Sequence, residues 1–141
     1  MTLADDPLAD RGADLRLNLP VGDWSVLGER RPNVLVSGPG DAAHAFVDAV
    51  TPYLQAPVHH LTCDARLDLP RGDGTLILEH LDALDREQQE CLLRWLDDPE
   101  HARTQVISLT PAPLYTSVQR ETFLGALYYR LNVIYLEVGS S

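Results

Sequence analysis

The sequence predicts a three-layer α/β domain around a five-stranded parallel sheet. Three observations carry that expectation. Five short apolar runs, at 33–37, 57–62, 75–78, 105–109 and 133–138, each have the length of a buried strand. Most of the intervals between them show three- and four-residue apolar spacing, the pattern of a helix that buries one face. Alternation of strand and helix along the chain is the signature of a parallel sheet covered on both sides.

Residues 1–32 form an N-terminal extension. Asp5, Asp6, Asp10 and Asp14 alternate with small residues, while Pro7, Pro20 and Pro32 interrupt regular structure. Leu15, Leu17 and Leu19 alternate with polar residues and suggest a short edge strand or an extended arm. Trp24 and Leu27 are expected on the domain surface. The core domain is assigned to 33–141. Its first strand, NVLVS at 33–37, leads into Gly38-Pro39-Gly40-Asp41, a tight turn with Asp41 as the expected helix cap. The helix that follows should begin near Ala42 and present Ala42, Ala45, Phe46, Ala49, Val50 and Tyr53 on one face. Pro52 should end it, because the proline ring clashes with the preceding turn.

The second strand, PVHHLT at 57–62, is followed by a connector at 63–73 too short for more than a turn of helix. The third strand is 75–78, preceded by Gly74. Asp85 with Gln88 three residues on makes a capping box for the best-patterned helix, whose apolar face is Cys91, Leu92, Trp95 and Leu96. A fourth strand at 105–109 ends in Thr110-Pro111-Ala112-Pro113. Short helices are expected at 114–120 and 123–131, the second with Phe123, Leu127, Tyr128 and Leu131 on one face, and a fifth strand at 133–138.

Composition excludes several classes of function. Eleven basic residues face 21 acidic ones, for a net charge of −10. That field opposes a polyanion, and no basic run longer than Arg30-Arg31 occurs, so direct DNA binding is not expected. No apolar run reaches the roughly 18 residues of a membrane span. The acidic first residues do not resemble a signal segment, which points to a cytoplasmic protein. Cys63 and Cys91 lack a motif and read as reduced thiols, so neither a disulfide nor a metal site is expected.

Two places could carry chemistry. A strand, a glycine turn and a helix are the setting in which helix-terminal N–H groups attract phosphate. A full phosphate loop reads GxxxxGK[ST]. The window from Gly38 reads GPGDAAHA, with Ala43 at the second glycine, His44 at the lysine and Ala45 at the hydroxyl. Glu79 and His80 end the third strand, where an acid would organise magnesium. Gly38, Gly40, His44 and Glu79 are therefore the candidate cofactor-binding positions, in degenerate form. His59 and His60 are adjacent on a strand and point to opposite faces, which argues against a shared metal site. An unrelated enzyme built on His44, His59, His60 or His80 is the least favoured alternative.

Four blocks resemble one family, the AAA+ ATPase domain of bacterial sigma-54-dependent transcription activators. They are VLVSGPGDAAHAFV at 34–47, PVHHLTCDARL at 57–67, GTLILEHLDALDREQQECLLRWL at 74–96 and FLGALYYRLNV at 123–133. The third is similar to the family's GTLFLDEIxxLxxxxQxxLLRVL and the fourth to FRxDLYYRLNV. The resemblance implies a P-loop NTPase-like (AAA+) core with the helical lid and the receiver-contact insertion missing. Between Cys63 and Gly74 the loop that touches sigma-54 in the family is also missing.

Measured against that family, the Walker A lysine is His44 and the Walker B acid pair is Glu79-His80. The sensor asparagine is gone from 108–110. The first arginine of FRxDL is Leu124 and its aspartate is Ala126, while Arg130 remains. The expectation is a catalytically inactive pseudo-ATPase domain that needs no cofactor. Its expected role is regulatory or protein-interacting, related to sigma-54-dependent transcription, and exerted through a protein partner or self-association as a small dimer. The alternative is a weak ATP- or anion-binding protein with residual or no hydrolysis.

Overall fold

The computed structural model describes residues 25–64 and 66–139. The expected arm at 15–19 and Trp24 lie outside them. Five strands form one parallel sheet: β1 (Val34–Ser37), β2 (Val58–Thr62), β3 (Gly74–Glu79), β4 (Thr104–Thr110) and β5 (Ile134–Glu137), in the order β2-β3-β4-β1-β5. β1 lies between β4 and β5, with Val34 opposite Ile107 on one side and Ile134 on the other. All four pairings are parallel.

Alternate residues of β1 feed two separate cores. Val34 and Val36 pack with Phe46, Val47 and Val50 of α2 (Gly40–Val50), and with Ile77, Ile107 and Leu136 from neighbouring strands. Leu35 packs on the other side with Leu92, Trp95 and Leu96 of α3 (Arg86–Asp97) and Leu127 and Leu131 of α5 (Gly125–Leu131). The sheet is thus the middle of three layers, as the run pattern predicts.

Local chemistry explains most boundaries. α3 starts in the predicted capping box: the Gln88 N–H donates to the Asp85 carboxylate at 2.8 Å, and the Asp85 N–H donates to the Gln88 side chain at 2.9 Å. α2 ends at Val50, and a single 3-10 turn holding Pro52 follows. The connector at 63–73 has no helix among its described residues. Leu67 and Leu69 nevertheless pack on the core, and the Trp95 indole N–H donates to the Pro70 carbonyl at 2.9 Å.

Several elements depart from expectation. α2 begins at Gly40 with Pro39 as its cap, so Asp41 sits inside the first turn and is not the cap. Its buried face is Ala43, Phe46, Val47 and Val50. Counting alanines equally with bulky residues rotates the predicted face; the larger side chains fix the true one. An unexpected helix, α1 (Ser25–Arg30), places Leu27 fully inside the core, not on the surface. The buried Gln105 amide donates to the carbonyls of Leu27 and Pro32 and ties this segment to β4. α4 (Tyr115–Gln119) is one turn long, and Phe123 is buried just ahead of α5 rather than within it. Cys91 is only half-buried on α3, whereas Cys63 is fully buried.

Candidate functional site

The carboxyl ends of β1, β3 and β4 open onto one shallow cleft of about 90 Å³. Gly38, Gly40, His44 and Glu79, the four positions singled out in the sequence, all line it, together with Ala43, His80, Leu109, Thr110 and Pro111. In an open parallel sheet this is where ligands sit.

Gly38 leaves β1 at φ +155°, and its N–H donates to the Thr110 carbonyl at 3.0 Å. A Cβ here would come within 2.4 Å of the Val138 carbonyl, so only glycine fits. The chain then enters α2 after one residue, Pro39. A phosphate loop needs several residues whose N–H groups curl around the anion. Here the residues from Gly40 onward are already helical, and the Ala43 N–H is spent on the Pro39 carbonyl at 2.9 Å. The Ala42 N–H points to the Asp41 carboxylate at 2.9 Å. The helix N-terminus therefore faces an internal anion.

His44, one turn into α2, and Glu79, the last residue of β3, meet across the cleft. The His44 Nε2 lies 3.0 Å from the Glu79 Oε1. A carboxylate only accepts, so the imidazole donates. The pair is open to water, with the side chains 58% and 30% exposed. His80 follows in a left-handed conformation at φ +58°. It faces the side of Asp64, whose carboxyl is held below its usual range by the Thr62 hydroxyl first and by His80 to a lesser extent. Burial, with Asp64 and Asp82 nearby, pushes the Cys63 thiol from 9.0 up to about 12. The Thr110 hydroxyl turns into its own loop and donates to the Ala112 carbonyl at 2.9 Å. Ser108, beneath it, is fully buried with no partner for its hydroxyl.

Arg130 lies away from this cleft, pairing with Asp97 and donating to the Leu96 carbonyl at 2.9 Å. Gln89, which the apolar pattern passes over, is buried on α3. It binds both ends of the segment leading into α5: its amide donates to the Thr122 carbonyl and its oxygen accepts the Leu124 N–H. His59 is half-buried and His60 exposed on β2. Among the described residues, no three His, Cys, Asp or Glu side chains come together as a metal site. None of the described helices is long and apolar enough to cross a membrane.

The chain matches the sigma-54 interaction domain over residues 49–140. The match begins after the turn at Gly38 and His44. Among solved structures, NtrX from Brucella abortus in complex with ADP superposes with a TM-score of 0.67 at 18% identity, over 82% of this chain. NtrX in complex with ATP gives 0.65 at 20% identity, over 89% of this chain. The P-loop NTPase domain of the sigma-54 transport activator from E. coli gives 0.57 at 18% identity, covering 86% of this chain and 99% of that one. The chain spans only 33% and 37% of the two NtrX chains. No curated protein matches it. At these identities the likeness establishes the shared P-loop NTPase fold.

Proposed function

The chain belongs to the sigma-54 interaction domain family, and from that premise we propose that it is a catalytically inactive member acting through protein contacts in sigma-54-related regulation. The observation that carries this reading is the His44–Glu79 hydrogen bond, 3.0 Å long, across the cleft at the carboxyl ends of the strands, where a nucleotide's phosphates and metal would lie. By resemblance these two positions are the lysine that reaches the phosphates and the acid that organises magnesium. Here they satisfy each other. Asp41 adds a carboxylate to the helix end that would attract the anion.

The residues at hand do not fit a nucleotide with its magnesium, and no step of phosphoryl transfer is assigned to them. Phosphoryl transfer rests on positioned charge, and loss of one such donor costs about 10²–10³ in rate. Here the lysine, the acid pair and the first finger arginine are replaced together. What the chain retains is the scaffold and a surface. Tyr53, Tyr115, Tyr129 and Val133 are large apolar side chains left exposed, and Tyr128 lies buried between Tyr115 and Tyr129.

The test is calorimetric titration with ATP and ADP in magnesium, on protein whose solution mass is measured in the same sample. No heat of binding that depends on His44, together with a defined dimer or a protein complex, is the expected result. Stoichiometric ATP binding that His44→Ala abolishes would overturn the reading and restore the cleft as a nucleotide site.

A further inference from the structure

At the opposite end of the sheet lies a larger cleft of about 500 Å³, lined by Arg30, Arg31, Arg103, Arg130, His101 and Glu29 among others. β4 separates the two clefts: its seven residues run from Thr104 to Thr110, about 23 Å at ~3.3 Å per residue. In a chain of net charge −10, four of the eleven basic residues converge here. We propose that this cleft is a binding site for a small multivalent oxyanion, one carrying phosphoryl or carboxylate groups.

Two buried nitrogens on its wall have no partner. His101 is only 8% exposed and stacks on Trp95 with ring centroids 4.3 Å apart. Its Nδ1 lies 2.9 Å from the Trp95 carbonyl, which can only accept. Nδ1 therefore holds a proton, and Nε2 is left without a hydrogen bond. The Arg31 Nε is likewise buried and unpartnered. Buried polar atoms are nearly always satisfied, and an orphan has a cost; an oxyanion would remove that of the Arg31 Nε–H, and that of the His101 Nε2 where the ring carries its second proton.

Arg31 is also held in an uncommon conformation, φ +54°. Strained backbone of this kind persists where the surroundings impose it and gathers at binding sites. The surroundings are visible: the guanidinium donates to the carbonyls of Gly74 and Arg103, which fixes its plane against the starts of β3 and β4. Arg30 and Arg103 are exposed, and among the described residues neither side chain has a partner. The guanidinium fork matches the two oxygens of a phosphoryl or carboxylate group. Arg130 contributes least, since Asp97 already offsets its charge. Among the described residues, Glu29 is the one carboxylate on the wall. A polymeric anion would extend past the cleft onto an acidic surface, which limits the ligand to a small one.

The experiment titrates the full chain, without metal and at low ionic strength, with sodium pyrophosphate and separately with citrate. Calorimetry gives affinity, and amide shifts in NMR spectra give location. The expected result is one site, weakened by salt, with shifts at Arg31, Ala102 and Arg103. The double variant Arg30→Ala/Arg103→Ala, altered only at exposed side chains, should keep the native melting profile and bind about tenfold or more weakly. Arg103→Lys should recover only part of that loss. Pyrophosphate binding alone assigns a phosphoryl ligand, citrate binding alone a carboxylate ligand, and both together an unselective oxyanion site; each supports the proposal. Binding of neither anion overturns it, as does an unchanged affinity in the folded double variant. Shifts confined to Gly40 through Ala43 would move the anion to the other cleft, refuting this proposal and challenging the proposed loss of nucleotide binding at the same time. Nucleotide heat that His44→Ala removes challenges only the proposed loss of nucleotide binding, whereas nucleotide heat that persists in His44→Ala and falls in the double arginine variant supports this cleft.

Discussion

Replacing Gln89 with leucine should unfold this domain more readily than any exposed substitution on α3. The Gln89 side chain is 1% exposed and makes three hydrogen bonds to backbone: to the carbonyls of Leu84 at 3.0 Å and Thr122 at 3.1 Å, and from the N–H of Leu124 at 2.8 Å. Leucine nearly conserves volume, so no large cavity opens, and the cost is that of three backbone groups losing their partner. At about 1 kcal/mol each when water can reach the groups, and more when it cannot, the loss is about 3–5 kcal/mol. Domains of this size have about 5–15 kcal/mol in all. Guanidinium unfolding followed by circular dichroism and tryptophan fluorescence gives the number, provided the two probes coincide. The neighbouring Gln88→Ala removes one half of a capping box at an exposed helix end and should cost about 1 kcal/mol, which makes it the internal comparison. Native-state hydrogen exchange adds a local readout, since the Leu124 amide should lose protection in Gln89→Leu and keep it in Gln88→Ala. A Gln89→Leu protein within about 1 kcal/mol of wild type, with Leu124 still protected, would refute the idea that this one amide holds the entry to α5.

Leu27→Ala should cost about 2–5 kcal/mol, because the side chain is fully buried; urea unfolding measures it, and a loss under about 0.5 kcal/mol would place α1 outside the cooperative unit. The Cys63 thiol, raised to about 12 by burial, should resist iodoacetamide at pH 8 in the native protein while half-buried Cys91 is labelled; peptide mass mapping distinguishes them. The same shift makes the protonated thiol the folded form. Stability should therefore be intact below pH 9 and fall, by at most about 1.4 kcal/mol per unit, as pH rises from 9 toward 12. His44→Ala should change stability by no more than about 1 kcal/mol, since an exposed pair contributes little; a fall in melting temperature beyond about 10 °C would make the His44–Glu79 contact structural.

The strands were legible because each holds a short apolar run, buried on both faces in β1, β3 and β4 and half-buried in the edge strands β2 and β5, and the α3 boundary because a capping box is a local signal. The α2 face was misread by about one residue, since alanine carries little packing information beside Phe46 and Val47. α1 was invisible for a related reason. Six residues around Gly28 hold too little periodic apolar signal, and Leu27 is buried through tertiary contact, including the Gln105 amide from β4. At the candidate site, the sequence brought Gly38, Gly40, His44 and Glu79 together because a turn and a strand end converge at one edge of a parallel sheet. It did not show that the helix begins at Gly40, nor that His44 and Glu79, 35 positions apart, touch. The arginine cleft left no linear trace at all: Arg30 and Arg31 are adjacent, but Arg103 arrives from the turn just before β4 and Arg130 from the last turn of α5.

The placement of β1 also sets a problem of timing. Its only neighbours are β4 and β5, and Val106 is already 73 positions beyond its bonding partner Asn33. During synthesis at roughly 5–20 residues per second, Val34, Leu35 and Val36 spend several seconds outside the ribosome before a partner exists. The hairpin-free β2–β3 pair can form in that interval, but it gives β1 no edge to join. An unpaired apolar strand in a nascent chain is a template for pairing with other chains. The strand that carries the turn at Gly38 is thus first out and among the last to dock, and chaperone capture of ribosome-bound chains should peak while β1 is exposed and β4 is still being made.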